Sequence, residues 1–355
     1  MVRWDALIPV LGVVALGVTW ASKPASVVLG VVGALLAGSI FAAVHHAEVV
    51  AHRVGEPFGA LILAVAVTVI EVALIVTLMV TNGPETSTLA RDTVFAAVMI
   101  TTNGVVGLSV LTGAIRRHVA TFNAEGTASA LATVLTLTTL SLVLPRFTTS
   151  APGPTFSPAQ LTFAALASLA LYSLFVVVQT VRHREYFVQD DSANETAARR
   201  APPSGRQALR SLVLLLVALV AVVGLAKVES PAIEDAVGAL GAPSSAVGVV
   251  IALLVVLPEG IAAARNAHRG RVQISLNLAL GSAMASIGLT IPAIAVASIW
   301  LEGPLVLGLG STQIVLLATT AAVGALTVLP GRATIQEGGV HLVLFAAFLV
   351  LAIRP

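Results

Sequence analysis

The chain has 355 residues, of which 57% are apolar and 10% charged, with 19 Lys and Arg against 17 Asp and Glu and a mean hydropathy of +0.99. A water-soluble surface cannot be built from that balance over such a length, so a soluble domain is excluded and an integral membrane protein is predicted. Cysteine is absent, which removes disulfides, iron–sulfur centres and thiolate metal sites.

A spanning helix needs about 20 residues, and the apolar runs divide the chain into eleven predicted spans: 6–21, 26–44, 58–81, 93–114, 126–145, 159–181, 211–227, 244–264, 273–300, 305–329 and 339–353. Membrane strands would alternate apolar and polar residues, whereas Leu212 to Ala226 is continuously apolar, so an all-α fold is expected. Met1 to Ser22 has the look of a secretory signal, with Arg3 before an apolar run that ends in Ala21-Ser22. Asp5 in its basic region and the lack of a soluble domain after it favour a retained first helix instead.

After the second span, His45 to Pro57 (HHAEVVAHRVGEP) is polar. Glu48 and His52 stand four apart, so a short helix would present both on one face. Two readings stay open: an interfacial helix with solvated charges, or a cation-collecting vestibule of Glu48, Glu56, His46 and His52. His45 and His46 alone make a poor zinc site, since no second His one turn away and no thiolate accompanies them. Pro57 suits the first turn of the following helix.

Span three carries Glu71, the only charge between Glu56 and Glu85, with Thr68 three residues before it. An ionisable group inside a membrane helix is costly and is rarely kept without a partner or a task. Span four follows with Thr101-Thr102-Asn103-Gly104, oxygen donors beside a helix-weakening glycine, which serve ion coordination or helix packing. Spans five and six carry no buried charge and are expected to form core. Between Arg182 and Arg206 the chain turns polar and Pro/Ser-bearing, a predicted mobile linker between two membrane halves. Asp190-Asp191 within it lacks an EF-hand pattern and reads as solvated charge.

The second half repeats the first. Span eight holds Glu259 after Pro258, and Val106-Gly107-Leu108-Ser109-Val110 has a counterpart in Ile287-Gly288-Leu289-Thr290-Ile291, each in the span after a buried Glu. Spans three and eight run in opposite directions, so inverted repeats are expected, with a midplane site between interrupted helices. Pro258 is expected to break its helix, and Asn277, Gly281, Ser282 and Ser286 mirror the Thr/Asn cluster. The predicted divisions are an extra first helix (1–25), a first five-helix repeat (26–181), the linker (182–206) and a second repeat (207–355). Gly55 and Gly59 form a Gly-x-x-x-Gly spacing, but Pro57 between them argues against a dimer motif, and homo-oligomerisation is left open.

With the N-terminus inside, inner segments hold 14 of the 19 basic residues and outer segments 5, which predicts a cytoplasmic N-terminus and an outer C-terminus in a plasma membrane. The arginines are scattered among short loops without interleaved aromatics, so the lipid bilayer rather than nucleic acid is their expected partner. Two carboxylates in a dry site suit a hard cation such as Ca²⁺. Thr68, Thr101, Thr102, Asn103, Ser282, Ser286, carbonyls or water would complete the shell. Two carboxylates with Ca²⁺ are formally neutral, as are two carboxylic acids, so exchange of a cation for protons is expected of such a pair.

His46 to Leu78 (HAEVVAHRVGEPFGALILAVAVTVIEVALIVTL) and Leu257 to Pro292 resemble the paired signature repeats of the calcium/proton antiporter family, of the bacterial ChaA type, within the cation/calcium exchanger superfamily. Members exchange Ca²⁺, Na⁺ or K⁺ for H⁺. The resemblance implies a cation/calcium exchanger fold, Glu71 and Glu259 as the carboxylates that bind metal cation or protons, and Glu48 and Glu56 on the cytoplasmic approach. It implies transported ions and no cofactor. The family places Gly-Asn before each buried Glu and His after the second. Here Val67-Thr68, Val256-Leu257 and Gly260 stand at those places, which brings Na⁺ or K⁺ forward as the substrate. A cation channel built on a carboxylate ring is the alternative from another class. An ATP-driven pump would need a nucleotide or phosphorylation motif, which is absent. An intramembrane enzyme would need a nucleophile with its base, or metal-bound histidines. His341, the one candidate, is expected at the membrane interface.

Overall fold

The computed structural model describes residues 4–20, 25–55, 58–187, 203–301 and 303–355. Among them, ten helices are long and apolar enough to cross a membrane: α2 (Ser26–Val54), α3 (Phe58–Asn82), α4 (Leu89–Arg117), α5 (Ala124–Arg146), α6 (Pro158–Arg182), α7 (Gly205–Ala239), α8 (Ala246–His268), α9 (Val272–Ala297), α10 (Ser311–Val328) and α11 (Ile335–Ile353). The shorter α1, Trp4–Thr19, precedes them. Each predicted span falls on one of these helices.

Several starts are written in the sequence. Ser157, Ser204 and Thr334 each cap a helix whose third residue, Gln160, Gln207 or Glu337, reaches back to the cap amide, so two otherwise orphaned donors are satisfied at once. Asn123 Oδ1 accepts from the Gly126 amide at the start of α5. At the α2–α3 turn Gly55 has φ 77°. A Cβ on Gly59 would lie 2.6 Å from the Ala51 carbonyl oxygen. This glycine pair therefore serves a tight turn.

Three elements run differently from their sequence patterns. The polar stretch after span two is no separate short helix; it continues α2 without a break to Val54. Helix α7 likewise runs on through Glu229, Pro231 and Glu234 to Ala239. At 1.5 Å per residue it reaches about 50 Å, more than the hydrocarbon core needs. Pro258 does not break α8, which passes through it from Ala246 to His268. Its missing amide leaves the Leu254 carbonyl without the usual helical donor, a local cost that the rest of the helix absorbs.

Helix α4 is central: 83% of its most apolar window is buried, against 17% for α11. It packs against α8 and α11, while α9 lies against α6, α5, α3 and α8. A second apolar cluster joins α2, α3, α7 and α8, including Leu36, Ile40, Ile70, Leu74, Leu225 and Ile251. Glycines allow the closest approaches. A Cβ on Gly107 would lie 2.9 Å from the Cβ of His341, and one on Gly288 2.6 Å from that of Tyr172.

Helix ends gather on two faces. On the arginine-rich face, Ala120–Thr121 (β1) pairs antiparallel with Arg332–Ala333 (β2), and Arg116 donates to the His268 carbonyl. On the opposite face, the Val306 amide donates to Ser87 and the Gly308 amide to Pro154. The first residues of the polar linker are docked, against the expectation of a mobile segment. Phe187 is buried edge-on against Phe175, and its carbonyl accepts from Asn277. The rest of the linker, 188–202, lies outside the described residues.

Candidate ion-binding site

Helices α3, α8, α9 and α6 enclose a cavity of about 170 Å³ lined by both Glu71 and Glu259, room for several waters or a partly hydrated ion. Glu71 is 2% exposed. The Ser286 hydroxyl donates to its Oε1 at 2.7 Å, and the Thr290 hydroxyl to its Oε2 at 3.1 Å. Both donors come from α9, four residues apart, so they project from one face. Glu259 is treated differently: its Oε2 is buried and makes no hydrogen bond.

Thr68, Ser282 and Ser286 join the glutamates in the wall, with Gln179 and Asn277 toward the arginine-rich face. A polar string holds that mouth. The Asn123 amide donates to Gln273 Oε1, Gln273 donates to Asn277 Oδ1, and Asn277 donates to Phe187 O. Toward the opposite face the way is apolar, with Ile75, Ala90 and Ile294 forming a buried cluster backed by Val72, Val76 and Met79. The cavity reaches Gln179 and Asn277 on the arginine-rich side, and the apolar cluster lies on the other side.

Other predicted ligands are not brought to this cavity. Thr101 and Thr102 spend their hydroxyls on Ala97 O and Val98 O of their own helix, where Ile100–Val105 forms a π-helical turn. Asn103 donates to Thr320 Oγ1 at 3.0 Å and faces His341. The cluster had suggested ligands because it lies near Glu71 in sequence. A helix turns its residues in all directions, and Thr102 and Asn103 point to α10 and α11. His341 is 1% exposed rather than interfacial. It bridges Asn103 Oδ1 at 3.2 Å and Thr327 Oγ1 at 3.1 Å, a polar ring that needs two partners.

The vestibule residues also separate. Glu48 and His52 are exposed near the end of α2. His46 is buried, and its Nε2 faces the Asp5 carbonyl at 2.9 Å, so it ties α1 to α2 instead of meeting solvent. Glu56 lies outside the described residues. Thr290 is the site residue that sequence reasoning passed over, although Ser282, Ser286 and Thr290 recur every four residues. Tyr172 and Gln179 were missed because α6 bears no buried charge, yet both line the cavity.

The donor set is carboxylate, hydroxyl and amide oxygen, which suits hard cations. Among the described residues no three His, Cys, Asp or Glu side chains gather into a metal cage. Two charges with neutral oxygens favour an ion that enters and leaves.

The sodium/calcium exchanger protein family model matches residues 24–181 and 210–354. The chain is 46% identical, over 99% of its length and 96% of the relative's, to y4hA of Sinorhizobium fredii (strain NBRC 101917 / NGR234), named as an ionic transporter. It is 33% identical to the sodium-potassium/proton antiporter ChaA of Escherichia coli (strain K12), over 97% of this chain and 94% of that one. Its fold is that of native YfkE, with a TM-score of 0.72 at 16% identity over 99% of both chains. The H⁺/Ca²⁺ exchanger CAX gives 0.71 at 16% identity, over 98% of this chain and 86% of that one. With both halves matched and close relatives aligned almost end to end, the chain belongs to the sodium/calcium exchanger protein family, the cation exchangers of the membrane.

Proposed function

We propose that the protein is a secondary-active antiporter that exports Ca²⁺, Na⁺ or K⁺ in exchange for H⁺, with Glu71 and Glu259 holding cation or protons in turn. The observation that carries this is the pair itself: two glutamates that line one cavity. A cation with a matching positive charge, or two protons, neutralises such a pair. The empty ionised pair is the costly state, so one cargo leaves as the other arrives.

Spans two to six and seven to eleven act in this reading as inverted halves, after the extra first helix, and alternate access about the shared site. The arginine excess assigns the arginine-rich face to the cytoplasm of a bacterial inner membrane, with the C-terminus outside. The cavity then faces inward. A Na⁺ or K⁺/H⁺ antiporter with little Ca²⁺ transport is the second reading. Val67-Thr68 and Val256-Leu257 favour it because they offer no amide oxygen beside either glutamate.

The test is collapse of an imposed ΔpH in proteoliposomes by Ca²⁺, Na⁺ and K⁺ separately. Wild type should respond saturably, and the half-saturating cation concentration should rise as pH falls on the same side, because protons compete for the same oxygens. Glu71→Gln and Glu259→Gln should each abolish the response, and the ranking of ions identifies the cargo. Proton-coupled flux that survives both substitutions, or uncoupled flux characteristic of a channel, would overturn the reading.

A further inference from the structure

Two stretches of one pattern, Val106-Gly107-Leu108-Ser109-Val110 on α4 and Ile287-Gly288-Leu289-Thr290-Ile291 on α9, occupy matching places in the fold. Gly107 packs against His341 of α11 and Gly288 against Tyr172 of α6, so each glycine meets the last helix of the other half. The hydroxyl two residues later differs. Thr290 donates to Glu71 Oε2, and Ser286, one turn before it, donates to Oε1. The Ser109 hydroxyl instead lies 2.6 Å from the Val105 carbonyl and 2.6 Å from Ser275 Oγ.

We infer that Ser109 is the counterpart of Thr290: a positioning residue that donates to Glu259 in the arrangement open toward the face opposite the arginine-rich one, and that Ser275 holds away from it here. This rests on the alternating-access reading above.

A serine hydroxyl has one proton to give. Ser275 gives its own to the Ala263 carbonyl at 2.7 Å, so toward Ser109 it can only accept. Val105 O and Ser275 Oγ then compete for the single Ser109 proton, and both serines are fully buried. Ala263 stands four residues after Glu259, on the same stripe of α8, so this chain of hydroxyls ends one helical turn from the glutamate. There Oε2 is buried and unmet, a costly state for a carboxylate oxygen.

Val105 stands four residues before Ser109, as Ser286 stands before Thr290. It packs beside the residue that follows Glu259: a Cβ on Gly260 would lie 3.5 Å from Val105 Cγ2. The first half thus keeps one hydroxyl of the two, and Ser109 is the one that the repeat assigns to Glu259. Two halves of like fold in unlike surroundings define a second arrangement in which each takes the surroundings of the other. That exchange frees Glu71 from Thr290 and brings Ser109 to Glu259.

The chain has no native cysteine, so Val76→Cys, in the apolar layer between the glutamates and the opposite face, reports opening on that side. The full chain in proteoliposomes is labelled from that side with a membrane-impermeant thiol reagent, with Ser109→Ala or Ser275→Ala added in turn. Both substitutions break the same hydrogen bond, so a purely structural contact would make them act alike. Opposite effects are expected. Ser109→Ala should slow labelling about fivefold, because a bond to a carboxylate is worth more than one to a serine, and Ser275→Ala should speed it by a similar factor by releasing the hydroxyl. On the Val76 background, the half-saturating Ca²⁺ or Na⁺ concentration for ΔpH collapse, with cation added on that side of orientation-sorted vesicles, should rise in Ser109→Ala and fall in Ser275→Ala. Shifts in the same direction in both variants, or in neither, overturn the assignment. Exchange that still depends on Glu71 and Glu259 in that case leaves the antiport reading standing and removes only the role of Ser109.

Discussion

Glu71 and Glu259 occupy corresponding places in the two halves of the sequence, yet their surroundings differ. Glu71 has both oxygens met by hydroxyls of α9. Glu259 keeps one buried oxygen with no donor. The pair thus has one carboxylate held by donors and one with an oxygen still unmet. In the proposed exchange, the member with the unmet oxygen would gain most when a cation or proton arrives, which would concentrate the driving force for occupancy on Glu259.

The most severe way to break that comparison is to remove either charge. Loss of exchange in Glu71→Gln and in Glu259→Gln, each by about 100-fold or more in ion-induced ΔpH collapse, is expected because each supplies half of the neutralising charge. Next in size, Ser286→Ala combined with Thr290→Val strips Glu71 of its donors. Hydrogen bonds to charged groups are worth about 1.5–3 kcal/mol each, so the half-saturating cation concentration should rise by about 10-fold or more. The same measurement on Ser282→Ala, which lines the cavity without a hydrogen bond to either glutamate, should show less.

A smaller effect is expected at Glu48. Glu48→Gln removes an exposed charge at the arginine-rich face, and should slow cation uptake by a few-fold at low salt, with the difference vanishing as ionic strength rises. Smallest of all is Thr101→Val, whose hydroxyl is committed to its own helix. Initial exchange rates within about threefold of wild type are expected, in keeping with the modest worth of a helical back-bond. A collapse of transport would return Thr101 to the ligand set.

The spans were legible because continuous apolar runs of this length have few other uses, and Glu71 because a lone charge inside such a run must be explained. Orientation around each helix was not. Thr101, Thr102 and Asn103 have the composition of an ion site, but Thr101 bonds to its own helix and the other two face α10 and α11, while Thr290, read only as part of a repeated motif, faces Glu71. His341 stood near a helix start and looked interfacial, yet α4 admits it to the core at Gly107, where no side chain intervenes. Asp92 escaped notice for a similar reason. It stands beside Arg91 at the edge of a span and drew no reading from the sequence, yet it is buried where α8 closes on it at Gly248.

The turn between α2 and α3 has a mechanical consequence. Gly59 donates its amide to Gly55 at 2.7 Å, and the Ala51 carbonyl fills the volume its side chain would need. The end of α2 and the start of α3 therefore meet backbone to backbone. A single methyl at position 59 would meet the Ala51 carbonyl oxygen at 2.6 Å and act as a wedge between α2 and α3.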